Sequence, residues 1–453
     1  MRLVVVGMGY VGVPLAACFA SVPGIEVTGL QRRSARSGWK IEQINRGLSP
    51  IGGREPGLSG LLRQVVADGS LQVTDDPAIC SVADVVILTV QTPLAEGNEP
   101  IMGPLIDACS DVGSEVQEGA LLSLESTVAP GTTENIVAPI LERRSGMTPG
   151  VDFNIVYSYE RVMAGRLLHS LRSYPRIIGG LTSHCADRGE ELYKKIAWGL
   201  IYKTDCITAE LSKVAENTYR DVNIALANEI AMISEALGVN FYELRHYVNS
   251  LPNNPDHPSY NPHRNLHLPG AGVGGHCLPK DPWLMLHGCK SYGTKVYDYS
   301  MITICRGINN GMPLKMSEKV LAALHERGLD VADSRIALLG FAFRGDIDDP
   351  RNTPALEIYN NLLKLSGDVI VHDPYIACYP GVNITQSLSK AIDGCNCLVV
   401  VTDHSIYRAL PLDWIKGLMS TPIIVDGRNL FNSEKCLRMG FTFRGIGVPE
   451  AGA

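Results

Sequence analysis

The sequence predicts an α/β protein with two doubly wound, Rossmann-like domains joined by a central helical domain that contains one long helix. Short apolar runs alternate with helix-compatible stretches near the N-terminus, from RLVVVG through DVVILTV to ALLSLES. The same alternation returns from SRIALLGFAF to PIIVDGRN near the C-terminus. Such alternation is typical of parallel sheets covered by helices on both faces. Between the two regions, residues 207–238 contain no proline and no glycine before Gly238, and their apolar positions recur at helical spacing.

The length supports this division. At roughly 150 residues per domain, a chain of 453 residues has room for about three domains. We expect a dinucleotide-binding domain over residues 1–203, the helical domain over 204–315, and the second α/β domain over 316–453.

The composition excludes several classes of protein. Hydrophobic residues at 45% and charged residues at 19% exclude a disordered or fibrous chain. A net charge of −7 without a basic stripe argues against a nucleic-acid partner. The apolar runs are strand length, so we expect no membrane partner and a cytoplasmic location. Twelve cysteines without a CxxC pair predict neither a metal site nor a disulfide framework.

A glycine motif directly follows the first predicted strand. Gly7, Gly9 and Gly12 form GxGxxG, with Tyr10 and Val11 between the last two glycines. At a strand-to-helix junction this spacing permits a tight turn, a backbone close to a pyrophosphate, and a helix N-terminus aimed at its charge. The motif predicts dinucleotide binding.

The acidic residue expected at the end of the second strand is absent. Gln31 stands there, followed by Arg32 and Arg33. An acid at this position holds the adenosine ribose of NAD, whereas arginines can receive the 2′-phosphate of NADP. The alternative is an ordinary solvated basic turn, and both interpretations remain open at this point.

The segment GAGVGGHCLPKDP, residues 270–282, points to covalent chemistry. Cys277 lies in a glycine-rich loop beside His276 and shortly before Lys280 and Asp281. Glycines let a substrate approach closely, and a nearby cation favours the nucleophilic thiolate. The alternative is a buried cysteine acting as a small hydrophobe, but these polar neighbours favour a nucleophile.

The long predicted helix carries Lys213, Asn217 and Arg220 on one face. Lys213 and Asn217 can stabilise a developing oxyanion, and a solvated helix face is the equal alternative.

Two further segments contain polar side chains suited to a site. LESTVAPGTT offers the hydroxyls of Ser126 and Thr127 at the end of a strand, and SYERVMAG offers Glu160 as a base toward water. Helix capping, and a surface ion pair between Glu160 and Arg161, are the respective alternatives.

Seven motifs in register resemble the UDP-glucose/GDP-mannose dehydrogenase family over nearly the whole chain. They are GMGYVG, VQTP, ESTVAPGTT, YERVMAG, AELSKVAENTYRDVNIALANE, GVGGHCLPKDP and FAFRGDIDDPRNTPA. The helix motif together with GAGVGGHC resembles the branch that acts on UDP-N-acetylhexosamines, with N-acetylmannosamine favoured. UDP-glucose, UDP-GlcNAc and UDP-GalNAc are the alternative substrates.

The resemblance implies a four-electron oxidation of the sugar C6 alcohol to a uronate with two nicotinamide cofactors, in polysaccharide biosynthesis. Cys277 would carry a thiohemiacetal and then a thioester. Lys213, Asn217 and Asp281 would stabilise oxyanions and move protons, and Thr127 and Glu160 would direct the hydrolytic water.

The resemblance also implies binding residues and a homodimer formed through the central helix. NAD is the expected cofactor and NADP the alternative. The cofactor-binding residues would be Gly7, Gly9, Tyr10, Val11, Gly12, Gln31, Arg32, Thr92, Pro93, Ser126, Thr127 and Lys280. The substrate-binding residues would be Glu160, Arg161, Lys213, Asn217, Arg220, His263, Arg264, Gly274, Phe343, Arg344 and Arg428, with Asp349 and Arg351 near the UDP.

The chain departs from the family pattern at Gln31, at Tyr159 in place of a proline, and at Arg344 in place of a lysine. Two other functions are alternatives to this one. A two-electron β-hydroxyacid dehydrogenase has no use for the Cys277 loop or a second α/β domain. A nucleotide-sugar-binding regulator without catalysis would not need Cys277, Lys213, Asn217 and Asp281 together.

Overall fold

The computed structural model describes residues 1–35, 37–250, 265–294, 300–366 and 368–449. The predicted substrate residues His263 and Arg264 lie outside the described residues. The chain forms two compact units, one comprising Met1–Asn217 with Lys280–Asp298 and the other Thr218–Pro279 with Tyr299–Ala453.

The first unit is built on an eight-stranded sheet. Its strand order is β3-β2-β1-β4-β5-β6-β7-β8, and every neighbouring pair is parallel except β6 and β7. The first six strands follow the doubly wound order, in which the direction of winding reverses between β1 and β4. The strands are β1 Arg2–Val6, β2 Glu26–Leu30, β3 Leu71–Thr74, β4 Val85–Leu88, β5 Leu121–Leu124, β6 Asn154–Tyr157, β7 Arg176–Gly180 and β8 Ile201–Asp205.

Helices cover both faces of this sheet, which explains why the central strands are continuous apolar runs. Every residue of the first helix is buried, since it packs against the sheet directly after the glycine motif. The helices of this unit are α1 Gly12–Ala20, α2 Trp39–Asn45, α3 Leu58–Ala67, α4 Gly103–Gly113, α5 Ala138–Ser145, α6 Leu167–Ser173, α7 Ser183–Tyr193 and α10 Asp281–Tyr292.

The second unit contains a six-stranded, fully parallel sheet of order β11-β10-β9-β12-β13-β14. This is again a doubly wound order, with the reversal between β9 and β12. Its strands are β9 Ile336–Leu339, β10 Val369–His372, β11 Ile384–Thr385, β12 Cys397–Val400, β13 Ile423–Asp426 and β14 Thr442–Gly445. Its helices are α9 Phe241–Val248, α11 Ser300–Glu326, α12 Pro354–Ser366, α13 Leu388–Ile392, α14 Ser405–Arg408, α15 Leu412–Leu418 and α16 Ser433–Arg438.

The predicted long helix is confirmed as α8, Cys206–Ala236, and it contributes residues to both units. Gly238 follows it with φ of +69°, a conformation that favours glycine beyond a helix end. The fold class predicted from the sequence is therefore confirmed. The domain boundaries at 203/204 and 315/316 remain a prediction. Among the described helices, none combines the length and the apolar character needed to cross a membrane.

Candidate active site

The glycine loop after β1 has the shape that a pyrophosphate requires. Gly7 adopts φ of +98°, and a Cβ at Gly12 would lie 1.9 Å from the Gly7 carbonyl oxygen. A Cβ at Gly9 would meet nothing within 4 Å, so open space lies above this residue. The Thr89 hydroxyl donates to the Gly7 carbonyl at 2.6 Å and ties the loop to the end of β4. The loop therefore presents bare backbone at the reversal between β1 and β4.

Hydrogen bonds join the loops that follow β4 and β5. The Ser126 hydroxyl donates to the Val90 carbonyl at 2.7 Å, and the Thr92 hydroxyl donates to the Thr127 carbonyl at 2.5 Å. The Lys280 ammonium lies 3.4 Å from the Thr92 hydroxyl oxygen. The structure thus gathers four residues proposed for cofactor or water binding at the carboxyl edge of the sheet, where doubly wound folds bind nucleotides.

The Gln31 side chain hydrogen-bonds to the glycine loop. Its amide oxygen accepts a hydrogen bond from the Met8 N–H at 3.0 Å, and its amide nitrogen donates to the Ser37 hydroxyl at 3.1 Å. The side chain is buried. A glutamate could accept the same Met8 bond, but it could not donate to Ser37. Gln31 therefore couples the glycine loop to the turn after β2.

Arg32 and Arg33 both have carboxylate partners. Arg32 lies 3.2 Å from Asp107, and Arg33 lies 2.7 Å from Asp75. All four side chains are exposed, so each pair contributes little to stability. This arrangement agrees with a solvated basic turn.

Lys213 is buried in the first unit, with only 6% of its surface exposed. Its ammonium donates to the Glu160 carbonyl oxygen at 2.8 Å and lies 3.6 Å from the Glu160 carboxylate. It also lies 5.4 Å from the centroid of the Tyr159 ring, within the range of a cation–π contact. At Lys213 the helix face is therefore not solvated.

Asn217 is one helical turn beyond Lys213 and contacts Asp281. The Asn217 amide donates to the Asp281 carboxylate at 2.5 Å, and the Lys280 ammonium lies 3.1 Å from the same carboxylate. Asp281 is fully buried and is the first residue of α10, where the helix dipole favours a negative charge. Three predicted site residues thus form one connected group.

Arg161 does not pair with Glu160, so the surface ion pair weighed from the sequence is wrong. Arg161 pairs instead with Glu216 at 2.9 Å and donates to the Tyr159 hydroxyl at 3.2 Å. The Glu160 carboxylate accepts the Val162 N–H. The buried Tyr159 ring, which replaces a proline of the family motif, therefore lies beside two cations.

Glu210 is a buried carboxylate of α8 that the sequence did not single out. Its carboxylate accepts hydrogen bonds from the Gly131 N–H at 2.6 Å, the Thr133 N–H at 2.8 Å and the Thr133 hydroxyl at 2.6 Å. Burial raises the pKa of Glu210 to about 7, against the opposing effect of these hydrogen bonds. Its position one turn before Lys213 was the available signal. Glu210 attaches the loop after β5 to α8.

Cys277 differs from most other cysteines of the chain. Nine of the twelve are buried, and burial raises the pKa of the Cys80 and Cys109 thiols to about 12. Cys277 is partly exposed in the second unit, and its sulfur lies 3.6 Å from the His276 Nε2. The structure therefore supports an accessible thiol rather than a core residue.

The second sheet has a comparable loop cluster at its own reversal. The Thr402 hydroxyl donates to the Ala342 carbonyl at 2.6 Å, and the Arg428 Nε donates to the Val401 carbonyl at 2.7 Å. A Cβ at Gly274 would lie 2.7 Å from the Phe343 Cβ, so these two predicted substrate residues are packed together. Arg428 therefore lies at the edge where a second nucleotide would bind.

The remaining predicted substrate residues are exposed or take part in an ion pair. Arg220 and Arg344 are exposed in the second unit. Arg351 forms an ion pair with the buried Asp349. Within the described part of the chain, no three His, Cys, Asp or Glu side chains gather as a metal site would require.

Comparison with known protein families assigns each region. Residues 1–197 match the NAD binding domain of the UDP-glucose/GDP-mannose dehydrogenase family, residues 207–311 its central domain, and residues 337–433 its UDP binding domain. The fold and these matches define a nucleotide-sugar dehydrogenase, an oxidoreductase with an NAD-type cofactor.

The chain belongs to the UDP-glucose/GDP-mannose dehydrogenase family. It is 39% identical to a UDP-N-acetyl-D-mannosamine dehydrogenase of Pyrococcus horikoshii, over 99% of each chain. A solved structure of UDP-D-ManNAc dehydrogenase from that organism superimposes with a TM-score of 0.89, 38% identity and full coverage of both chains. An NDP-N-acetyl-D-galactosaminuronic acid dehydrogenase from Methanosarcina mazei superimposes with a TM-score of 0.85 and 40% identity, covering 99% of this chain and 95% of that one.

Two glycine substitutions separate the folding and binding roles of the first loop. Because a Cβ at Gly12 would overlap the Gly7 carbonyl, Gly12→Ala should lower the free energy of unfolding by about 3 kcal/mol. Gly9→Ala meets no protein atom, so its stability should stay within about 0.5 kcal/mol of the wild type. Its methyl group should nevertheless weaken NAD binding about tenfold or more by blocking the pyrophosphate approach. Urea unfolding and a fluorescence titration with NAD measure both effects, and unchanged NAD affinity in Gly9→Ala would contradict this placement.

Glu210 should make stability pH-dependent. A pKa raised to about 7 in the folded protein means that the native state retains a proton that the unfolded state releases near pH 4.5. Stability from this group is therefore present at low pH and declines as the pH rises toward 7. Relative to Glu210→Gln, the wild type should lose about 3 kcal/mol of unfolding free energy between pH 4.5 and pH 8. Urea unfolding across this range measures the difference, and parallel profiles for the two proteins would refute it.

Proposed function

We propose that the protein oxidises the C6 alcohol of a UDP-N-acetylhexosamine to the uronate, with N-acetylmannosamine as the favoured sugar. The observation that carries this proposal is the placement of Cys277. It is an accessible thiol in a glycine loop, four residues before Asp281, and Asp281 is held by Asn217 and Lys280. Four residues span at most about 14 Å, so the sequence itself limits the distance between this thiol and the Asp281 carboxylate.

The proposed reaction has four steps whose electrons balance. The C6 alcohol loses a hydride and a proton to give an aldehyde. The Cys277 sulfur adds to the aldehyde carbon to give a thiohemiacetal. Loss of a second hydride and proton leaves a thioester, and water then cleaves the carbon–sulfur bond to release the uronate and the thiol. A bound nicotinamide cofactor supplies the hydride acceptor in each oxidation.

The glycine loop fits this cofactor. The open space above Gly9 and the close contact at Gly12 are the features that a dinucleotide pyrophosphate needs. The residues that would hold it are those named at this edge, with Thr92, Ser126 and Lys280 beyond the glycines.

Lys213 and Asn217 would stabilise the oxyanions of the proposed reaction. The Lys213 Nζ is held in a buried place by the Glu160 carbonyl and lies 3.6 Å from the Glu160 carboxylate, and a positive charge there acts more strongly than in water. The Asn217 amide would add a neutral donor. Asp281 would orient Asn217 and accept protons passing through the group.

Glu160 and Thr127 would direct the hydrolytic water. Glu160 is a buried carboxylate beside Lys213, and such a group can accept a proton from a water molecule. Thr127 lies at the end of β5 and would hold that water through its hydroxyl.

The identity of the sugar rests on the relatives. The name of the Pyrococcus relative contains N-acetylmannosamine, and that of the Methanosarcina protein contains N-acetylgalactosaminuronic acid, at similar identity to this chain. Both names support an N-acetylhexosamine. UDP-GlcNAc, UDP-GalNAc and UDP-glucose are the alternatives that an assay distinguishes.

NAD is proposed as the cofactor in preference to NADP. Arg32 and Arg33 would have to leave Asp107 and Asp75 to receive a 2′-phosphate, and these carboxylates would repel that phosphate.

A homodimer through α8 is also proposed. In the second unit, Tyr219, Leu226 and Ile233 recur every seven residues along this helix and are 65%, 47% and 52% exposed. An apolar stripe at this spacing is suited to packing against a second helix.

The stoichiometry of cofactor reduction tests the proposed reaction. Purified protein is incubated with UDP-ManNAc, UDP-GlcNAc, UDP-GalNAc or UDP-glucose and with NAD or NADP. Two NADH per sugar consumed, with UDP-ManNAc turned over fastest, is the expected result. One NADH per sugar would indicate a simple alcohol dehydrogenase, and binding without turnover would indicate a regulator.

A Cys277→Ser variant tests the covalent step, with Cys378→Ser as the matched control because Cys378 is an exposed cysteine elsewhere in the chain. Uronate formation should fall by at least about a thousandfold in Cys277→Ser and stay at the wild-type rate in Cys378→Ser. Wild-type uronate production by Cys277→Ser would refute the thioester mechanism.

A further inference from the structure

The loop that leads to Cys277 is tied at its start by a buried asparagine. Residues 270–275 lead up to Cys277 and are here called the cysteine loop, although the cysteine itself follows them. At the start of this loop, the Gly270 N–H donates to the Asn228 side-chain oxygen at 3.0 Å. Asn228 is on α8 and is fully buried. A buried N–H without a partner is costly, so this bond fixes where the loop begins.

A chain of buried polar groups sets the orientation of that asparagine. The Arg306 guanidinium donates to the Asp221 carboxylate at 2.5 Å, and the Asn309 amide donates to the same carboxylate at 2.8 Å. The Asn228 amide nitrogen in turn donates to the Asn309 oxygen at 2.9 Å. All four side chains are at most 2% exposed.

The direction of the hydrogen bonds in this buried network follows from Asp221 at one end. The Asn309 amide nitrogen lies 3.0 Å from the Asp221 backbone carbonyl, which only accepts hydrogen bonds, so Asn309 turns its NH₂ group toward Asp221 and its oxygen toward Asn228. Asn228 must then donate to Asn309, which leaves its own oxygen to accept from Gly270. Asp221 thereby determines which atom of Asn228 faces the cysteine loop.

The other end of the cysteine loop is held by a second asparagine. The Gly275 N–H donates to the Arg351 carbonyl at 3.0 Å, and the Asn352 amide donates to the Gly275 carbonyl at 3.0 Å. A Cβ at Gly275 would lie 2.9 Å from the Phe343 ring. Both backbone groups of Gly275 are therefore paired, two residues before Cys277.

We propose that Asn228 and Asn352 are positioning residues that hold the cysteine loop at its two ends and so place Cys277 for attack on the substrate aldehyde. The inference rests on the proposed function for Cys277. The segment 343–352, which carries Arg344 and Arg351, would then have two roles. It would position the Cys277 nucleophile and form part of the proposed UDP site.

Asn352→Gly is the most direct test because Asn352 adopts φ of +48°, which glycine accepts without strain. The substitution removes the hydrogen-bond donor and keeps the backbone. Asn98→Gly is the matched control, since Asn98 has φ of +65° in an exposed turn. Asn228→Ala removes the anchor at the start of the loop.

Two readouts are required, one of them independent of catalysis. Amide hydrogen exchange in residues 270–277 should accelerate about tenfold in Asn352→Gly and in Asn228→Ala, the effect of one lost hydrogen bond. In Asn352→Gly, kcat for uronate formation should fall about tenfold, KM for the UDP-sugar should stay within about twofold, and the melting temperature should fall by no more than about 4 °C. Asn98→Gly should match the wild type in every measurement.

Wild-type exchange and wild-type kcat in Asn352→Gly would overturn the proposal. So would a lower melting temperature with kcat unchanged, because that is the result of a purely structural role. If the wild type oxidised no UDP-sugar, the proposed function would fail, and faster loop exchange in the two variants would still establish the anchors.

Discussion

The candidate site depends on the pairing of one buried cation. An ammonium with almost no exposure to water is costly unless hydrogen bonds and opposite charge replace its hydration. Lys213 meets that requirement through the carbonyl and the carboxylate of Glu160, with the Tyr159 ring beside it. The segment after β6 and the helix α8 must therefore remain in one arrangement. Asn217, one turn further along α8, is then held in place to contact Asp281.

The carboxyl edges of the two sheets share one loop arrangement at their reversals. At each sheet reversal, a glycine with positive φ, Gly7 or Gly340, follows the strand. A threonine hydroxyl from the neighbouring strand's end then donates to a carbonyl of that loop, Thr89 to Gly7 and Thr402 to Ala342. Bare backbone and a few placed cations can then receive a diphosphate in a protein whose net charge is −7. The global charge thus says little about the ligands.

The sequence predicts secondary structure where the hydrophobic periodicity is strong. It does not predict side-chain contacts between residues that are far apart in the chain. The central strands β1, β4 and β5 were predicted because burial on both faces leaves continuous hydrophobic runs. The helix α8 was predicted because its apolar residues recur at helical spacing. Strand β8, IYKTD, has no buried residue, and β11 has only two residues, so neither carries such a signal. The role of Gln31 and the attachment of Glu210 to Gly131 depend on pairings across many residues, which no local pattern reveals. The helix spacing of Lys213 and Asn217 was visible in the sequence, but the burial of Lys213 and the contact of Asn217 with Asp281 were not.

The proposed thioester on Cys277 is the central claim, and it can be observed directly. Glu160→Gln removes the proposed base for water but leaves the Glu160 backbone carbonyl to hold Lys213 and leaves Asn217 on Asp281, so hydrolysis should slow and the acyl-enzyme should accumulate. Intact-protein mass spectrometry after mixing this variant with NAD and UDP-ManNAc should show an adduct of the acylated nucleotide sugar, mapped to the Cys277 peptide and released by hydroxylamine. Complete uronate formation without any adduct at Cys277, under conditions that slow the final step, would contradict the account.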